Sequence, residues 1–331
     1  MFVVNDLGLA VLFCVLTMIG WGSWANTQKL AGQDKWSFEL YYWDYAVGVF
    51  LFGVLFAFTF GVFGSAGIPT PANLAAADLT HVWRATASGA LFNVANILLV
   101  VAIDAAGMSL AFPVGVGLAL VIGTVGSYMQ TPKGNPALLL AGVALILFAM
   151  AMSALAYSKL PRTEGVRWKR GLLFAVIAGG AMGFFYPQLM AAISPGFNTE
   201  AIQPGRLTPY SALLFFGVGL LLSNLIVNSI FMRAGGCTYA QYFRGSLRLH
   251  SLGLLGGVIW MIALCLNVIA SGVAGPAVSY SLGQGATLVA AIWGVFVWKE
   301  FAAAPKGTTP LIVVMFLAYA AGLVSIGLAT L

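Results

Sequence analysis

The residues of this 331-residue chain that could do chemistry at the middle of its long apolar runs are uncharged. Trp21 and Trp24 lie three apart, so one helix face carries both indoles. Facing a cavity, they offer flat surfaces to a planar or ring-shaped solute; for Trp24 the plainer role is an interfacial aromatic belt. Asn93 and Asn96 repeat the spacing at the middle of another run. Two carboxamides there supply donors and acceptors to a neutral polar solute; as interhelical glue they contribute about 1 kcal/mol each. Tyr186 and Gln188 flank Pro187, which frees the carbonyl of Gly183 and loosens a helix at a usual place for solute contacts or a gate. Trp260 sits mid-run, and Gln284 lies between Gly283 and Gly285, where no adjacent side chain crowds it. Asn224 and Asn228, four apart, read as glue, to each other or to the last span.

The groups that are missing matter as much. An intramembrane hydrolase needs a nucleophile and base, or paired metal ligands. The only histidines, His81 and His250, fall near membrane edges, in expected loops on opposite sides. No HExxH motif, pair of intramembrane aspartates or Cys/His pairing occurs, so the reading has no catalytic residue, no metal and no cofactor. Asp44 is the candidate for coupling to a proton or cation, with a salt bridge to a nearby Lys or Arg as the plainer role. Neither an acid nor a base sits at mid-membrane, which favours a neutral or zwitterionic solute. Cys14 and Cys265 lie in apolar runs and Cys237 in a short loop, which reads as structural thiols.

The elements that hold these residues follow from composition. Only 7% of residues are charged, 61% are hydrophobic, and mean hydropathy is +0.97. So small a polar supply cannot cover a water-soluble globule, and the same figures exclude disorder. Ten apolar segments fall near 7–29, 40–62, 84–106, 109–130, 137–158, 171–192, 209–232, 249–271, 275–298 and 310–330. Breakers such as Pro132, Pro136, Pro161, Pro195, Pro209, Pro276 and Pro310 separate them. The first segment lacks a basic flank and is too long for a signal peptide. The loops are too short for a catalytic domain, and no basic cluster suggests nucleic acid.

Ten spans put both termini on one side, with Arg84, Lys133 and Arg206. The other side takes the remaining 12 of the 15 basic residues, among them Arg162, Arg167, Lys169 and Arg170. That bias predicts extracytoplasmic termini. The halves also resemble each other: Gly115, Gly117, Leu120, Val121 and Gly126 align at one offset with Gly283, Gly285, Leu288, Val289 and Gly294. The same offset pairs Gly89 with Gly257, Phe92 with Trp260 and Gly107 with Gly275. Residues 1–160 and 161–331 thus read as two five-helix repeats, the second inverted, with a midplane site between them exposed alternately to each side.

A resemblance is carried by Met1 to Val4, Trp21 to Gly32, Asp44–Tyr45, Ala57 to Gly61, Asn93 to Val121 and Phe185 to Pro187 with Phe197–Asn198. In these stretches the chain resembles the ureide permeases; Trp298, Lys299 and Glu300 are also similar to the glucose/ribose porters and rhamnose symporters, within the drug/metabolite transporter superfamily. The resemblance implies an all-α integral membrane protein with ten transmembrane helices in that superfamily's fold, and alternating-access uptake of ureides such as allantoin, or of nucleobases. Monosaccharide uptake, or efflux of amines or amino acids, are the alternatives. Ala25 stands where the family has proline, and the short link from Ser158 to Arg170 replaces a long central loop. The expected setting is a bacterial inner membrane, with a small-molecule substrate, the bilayer, and a monomer or homodimer.

Overall fold

The computed structural model describes residues 1–64, 66–160 and 167–330. Pro161, Arg162 and the centre of the Ser158–Arg170 link lie outside them. Among the described residues, ten helices are long and apolar enough to cross a membrane: α1 Leu7–Gln33, α2 Phe38–Phe58, α3 Leu79–Ala106, α4 Pro113–Gln130, α5 Pro136–Ser158, α6 Trp168–Ala192, α7 Pro209–Ala234, α8 Leu247–Ala274, α9 Pro276–Val297 and α10 Thr309–Leu328. The chain is an all-α integral membrane protein. Helices are what lipid permits, because every backbone donor and acceptor is satisfied within the segment. Pro136, Pro209, Pro276 and Pro310 open helices, where a missing N–H costs nothing.

The expected segments differ from the helices mainly at their ends. Helix α3 starts earlier than its expected segment and takes in His81, and His250 falls in the first turn of α8, so both histidines are helical rather than in loops. Apolar periodicity fades before hydrogen bonding does, so hydropathy does not mark the polar first turn of α3. Helix α6 runs unbroken through Pro187. The proline ring has room because it lies against Gly126 of α4. Irregularities occur elsewhere: α1 is interrupted at Trp24, α9 at Gln284–Gly285, and a wide π-type turn covers Phe112–Val116.

The chain forms two compact units, which do not coincide with the halves 1–160 and 161–331. Each draws on both. The first comprises Met1–Asn93 and Gln188–Val273; the second comprises Val94–Pro187 and Ala274–Leu331.

In the first unit glycines bring helices together. A Cβ at Gly89 of α3 would meet the Phe216 carbonyl of α7, one at Gly219 of α7 the Thr86 carbonyl, and one at Gly257 of α8 the Tyr45 carbonyl of α2. With little hydrophobic drive between helices in lipid, such close approach and its dispersion contacts hold the bundle. The amino-terminal segment is tied in by Phe2 N–H to the Phe60 carbonyl at 2.9 Å and by the Tyr210 hydroxyl to the Phe2 carbonyl at 2.7 Å.

In the second unit α4 packs on α9 and α5 on α10. Tyr280 lies over Gly123, and Gly142 faces Gly322 and Ile326. Gly89 and Gly257 both admit a neighbouring carbonyl, and Gly107 and Gly275 both turn the chain at φ +79° and +86°. Those φ values lie where a Cβ is penalised, which is why both turns carry glycine.

Candidate functional site

In the first unit, Trp260 lies at the middle of α8 and is the hub of an aromatic cluster. Phe92 stacks on it at 4.2 Å between centroids, Phe216 at 5.8 Å and Trp21 at 5.9 Å. Tyr45 approaches at 6.5 Å and in turn meets Trp24 at 4.9 Å. The Trp21 indole N–H also donates to the Trp260 carbonyl at 3.3 Å. Each such pair is worth about 0.5–1.5 kcal/mol beyond its buried area. Trp260, Phe92, Phe216 and Tyr45 are buried, whereas Trp21 and Trp24 are half-buried and give the cluster its accessible rings.

Trp24 owes its position to the interruption of α1. Its N–H keeps the bond to the Gly20 carbonyl, but its own carbonyl accepts from the Thr27 N–H at 3.1 Å and the Thr27 hydroxyl at 2.7 Å. Thr27 is further fixed by the Tyr41 hydroxyl at 2.7 Å. Span one therefore tightens to three-residue hydrogen bonding at Trp24, whose indole meets Tyr45 of α2.

Asn93 borders this cluster, one residue after Phe92 at the middle of α3. Its side chain is fully buried, and its amide N–H donates to the Ser223 hydroxyl of α7 at 3.0 Å. Its oxygen has no partner among the described residues. Asn228 of α7 donates to the Glu39 carbonyl of α2 at 2.9 Å, which is the expected glue but with α2 rather than α10. Asn224 makes no such bond. Gln188 belongs to the same unit but is exposed, so the structure does not gather it with the tryptophans.

Asp44 was expected to meet a Lys or Arg. Its carboxylate instead accepts from the Tyr242 hydroxyl at 2.7 Å and pairs with His250 Nδ1 at 2.9 Å. Trp36 packs edge-on against His250 at 5.6 Å. Tyr242 comes from the short helix Tyr239–Phe243, which Thr238 and Gln241 close with a capping box. Burial first, then the bond to Asp44 and its charge, raise the Tyr242 phenol, so it remains a donor. Sequence spacing could not find this group, because Asp44 lies about 200 residues from Tyr242 and His250 in the chain and meets them only through the fold. Nearby, Arg248 pairs with Asp34 at an exposed position.

The other expected site residues, Asn96, Tyr186 and Gln284, are in the second unit and buried. Tyr186 packs on Tyr280 at 4.8 Å. Gln284 sits where α9 tightens to three-residue hydrogen bonding, with Thr287 N–H to the Gln284 carbonyl at 3.2 Å. The flanking glycines do not leave its side chain open, since it bonds the Tyr280 hydroxyl. This unit also holds a cavity of about 60 Å³ lined by Met150, Ser153, Tyr157, Thr287, Phe301 and Tyr319 among others. That is far below the ~300 Å³ of a small-molecule site and suits a few waters.

No group of three or more His, Cys, Asp or Glu able to hold a metal occurs among the described residues.

A profile of the ureide permease family matches residues 41–170. Across 93% of this chain and 94% of the relative, the sequence is 22% identical to Ureide permease 2 of Arabidopsis thaliana. The chain is ureide permease-like. The profile match takes in Asp44, Asn93 and Asn96 and begins downstream of Trp21 and Trp24. The similarity points to a transporter rather than an enzyme.

Proposed function

We propose that this ureide permease-like protein is a secondary transporter that moves a small neutral polar solute, a ureide such as allantoin or a nucleobase, by alternating access. The observation that carries the reading is the stacked wall of Trp21, Trp260 and Phe92 beside the unpartnered Asn93 oxygen, at mid-depth of one unit. A planar amide ring uses both features: its faces stack on indole and its edge hydrogen-bonds a carboxamide. The name of the plant relative supports the same solute class. A monosaccharide is the second reading, because pyranose faces also stack on aromatic rings.

Trp21, Trp24, Asn93 and Trp260 carry most of the site in this proposal. Gln188 of the same unit contributes less, because it is exposed. Asp44, partnered by His250 and Tyr242, is the coupling candidate. The two repeats are supported by the matched glycines and by the packing of α2 on α7, α4 on α9 and α5 on α10, each span against its counterpart. The proposed setting is a bacterial inner membrane with both termini extracytoplasmic, which the bias of basic residues supports.

Uptake by the purified protein in liposomes, with unlabelled allantoin, uracil and glucose as competitors, tests the substrate. The reading expects allantoin or uracil to compete and glucose to fail. Competition by glucose alone moves the assignment to sugars.

A further inference from the structure

We infer that His250 carries the coupling proton on its Nε2 atom, with Asp44 as the counter-ion of the imidazolium rather than as the group that binds the proton. The inference rests on the transport reading above, in which Asp44 is the coupling candidate, and names the atom that gains and loses the proton.

The carboxylate of Asp44 has no free side. Its Oδ1 accepts from the Tyr242 hydroxyl at 2.7 Å, and its Oδ2 meets His250 Nδ1 at 2.9 Å. Helix α8 lies directly on it, since a Cβ at Gly253 would meet Asp44 Cβ and the Tyr41 carbonyl of α2. The Asp44 side chain is 11% exposed, against 27% for His250. A proton arriving at Asp44 must therefore break one of two hydrogen bonds in a place with little water to replace it.

His250 differs. An ionised carboxylate is an acceptor alone, so Nδ1 supplies the hydrogen of their bond and Nε2 is left as the free acceptor of the neutral ring. Nε2 makes no hydrogen bond among the described residues, and unlike the indole N–H of Trp36 beside it, it is not buried. Gly245 keeps it open: a Cβ there would lie 2.7 Å from Nε2 and 2.6 Å from the Trp36 ring. No left-handed backbone calls for glycine at this position, so what its missing side chain provides is the space beside Nε2. Trp36 at 5.6 Å and Tyr242 at 4.9 Å pack edge-on against the imidazole and hold Nδ1 toward Asp44.

The step is a simple exchange. Hydronium loses a proton to the Nε2 lone pair, one O–H bond breaks, one N–H bond forms, and water leaves; release is the reverse. Imidazole is the side chain suited to such exchange near neutrality. The other titratable or charged groups around the pair are already engaged or face water. Tyr242 donates to Asp44, the Tyr41 hydroxyl of α2 is bonded to Thr27 of α1, Arg248 of α8 pairs with Asp34, and Arg244 is exposed. No Lys or Arg among the described residues pairs with Asp44, so the positive charge it balances is the one His250 gains.

The test uses the full-length protein in liposomes, with labelled allantoin measured both by counterflow and by uptake driven by a pH gradient. His250→Gln cannot take the proton, and its gradient-driven uptake should fall at least about tenfold while counterflow is kept. Gly245→Ala leaves the pair intact but sets a methyl group beside Nε2, and should show the same loss in weaker form. His81→Gln leaves His250 as the one histidine for 15N spectroscopy of the imidazole. Nε2 should then lose its proton between about pH 5 and 8 while Nδ1 stays protonated. Full gradient-driven uptake in His250→Gln overturns the inference, as does a ring that keeps one protonation state over that range or titrates at Nδ1. Equal loss of both transport measurements in the two variants marks the cluster as structural and also overturns it. Wild-type counterflow without gradient-driven uptake removes the inference and leaves the transport reading. If the wild-type protein shows no allantoin counterflow, the transport reading falls and the inference with it.

Discussion

In the second unit, the Thr124 and Ser281 hydroxyls share a hydrogen bond at 2.7 Å, Tyr280 donates to the Ala119 carbonyl at 3.2 Å, and Ser325 donates to the Leu138 carbonyl at 2.8 Å. These bonds join α4 to α9 and α5 to α10. In the first unit, the Asn93 oxygen, the Tyr45 hydroxyl and the whole Asn224 carboxamide are buried with no partner among the described residues. A group already paired has little left for a solute, whereas an unpaired group in a dry interior gains most from one. On the proposed reading, these bonds serve cohesion in the second unit, and the unpaired groups of the first unit serve recognition. The contrast also explains why type and spacing alone were a partial guide: Gln284 and Asn93 look equally available in the sequence, and only their partners separate them.

The contrast can be broken most forcefully at the aromatic hub. Trp260→Ala removes the ring that Phe92, Phe216 and Trp21 share, and should cost about 3–5 kcal/mol of stability together with solute binding. Thermal melting with and without allantoin reads both; a variant that melts and binds as before would show the cluster to be incidental. Asp44→Asn should come next. It alters the carboxylate that Tyr242 and His250 share, with an expected cost of about 1–3 kcal/mol. Uptake driven by a pH gradient should fall while allantoin counterflow persists; unchanged gradient-driven uptake would remove Asp44 from coupling.

A smaller effect should sharpen the cohesive side. Thr124→Val combined with Ser281→Ala is expected to lower stability by about 1 kcal/mol and to leave allantoin affinity within about twofold. A large loss of affinity without loss of stability would move recognition into the second unit. The smallest effect belongs to the exposed Arg248–Asp34 pair. Asp34→Asn should change stability by under about 1 kcal/mol, with the difference vanishing at high salt in a melting series.

The fold was legible in the sequence because lipid leaves few options, and runs of twenty apolar residues bounded by proline mark helices directly. The start of α3 was not, since His81 occupies a polar first turn that hydropathy reads as loop. The stacking residues Trp21 and Trp260 could be nominated from depth alone. The Asp44–His250–Tyr242 group and the solitary state of Asn224 could not, because each depends on which residues distant in the chain arrive beside it. Pro187 illustrates the same limit: its effect on α6 is set by Gly126 of another helix.

The most direct test measures allantoin affinity for Asn93→Ala and Gln284→Ala side by side by equilibrium binding to the purified protein. Loss of the unpaired Asn93 acceptor should weaken binding about tenfold or more, while loss of Gln284, already bonded to Tyr280, should change it by less than about threefold. The reverse order, or wild-type affinity in both variants, would contradict the assignment of recognition to the first unit.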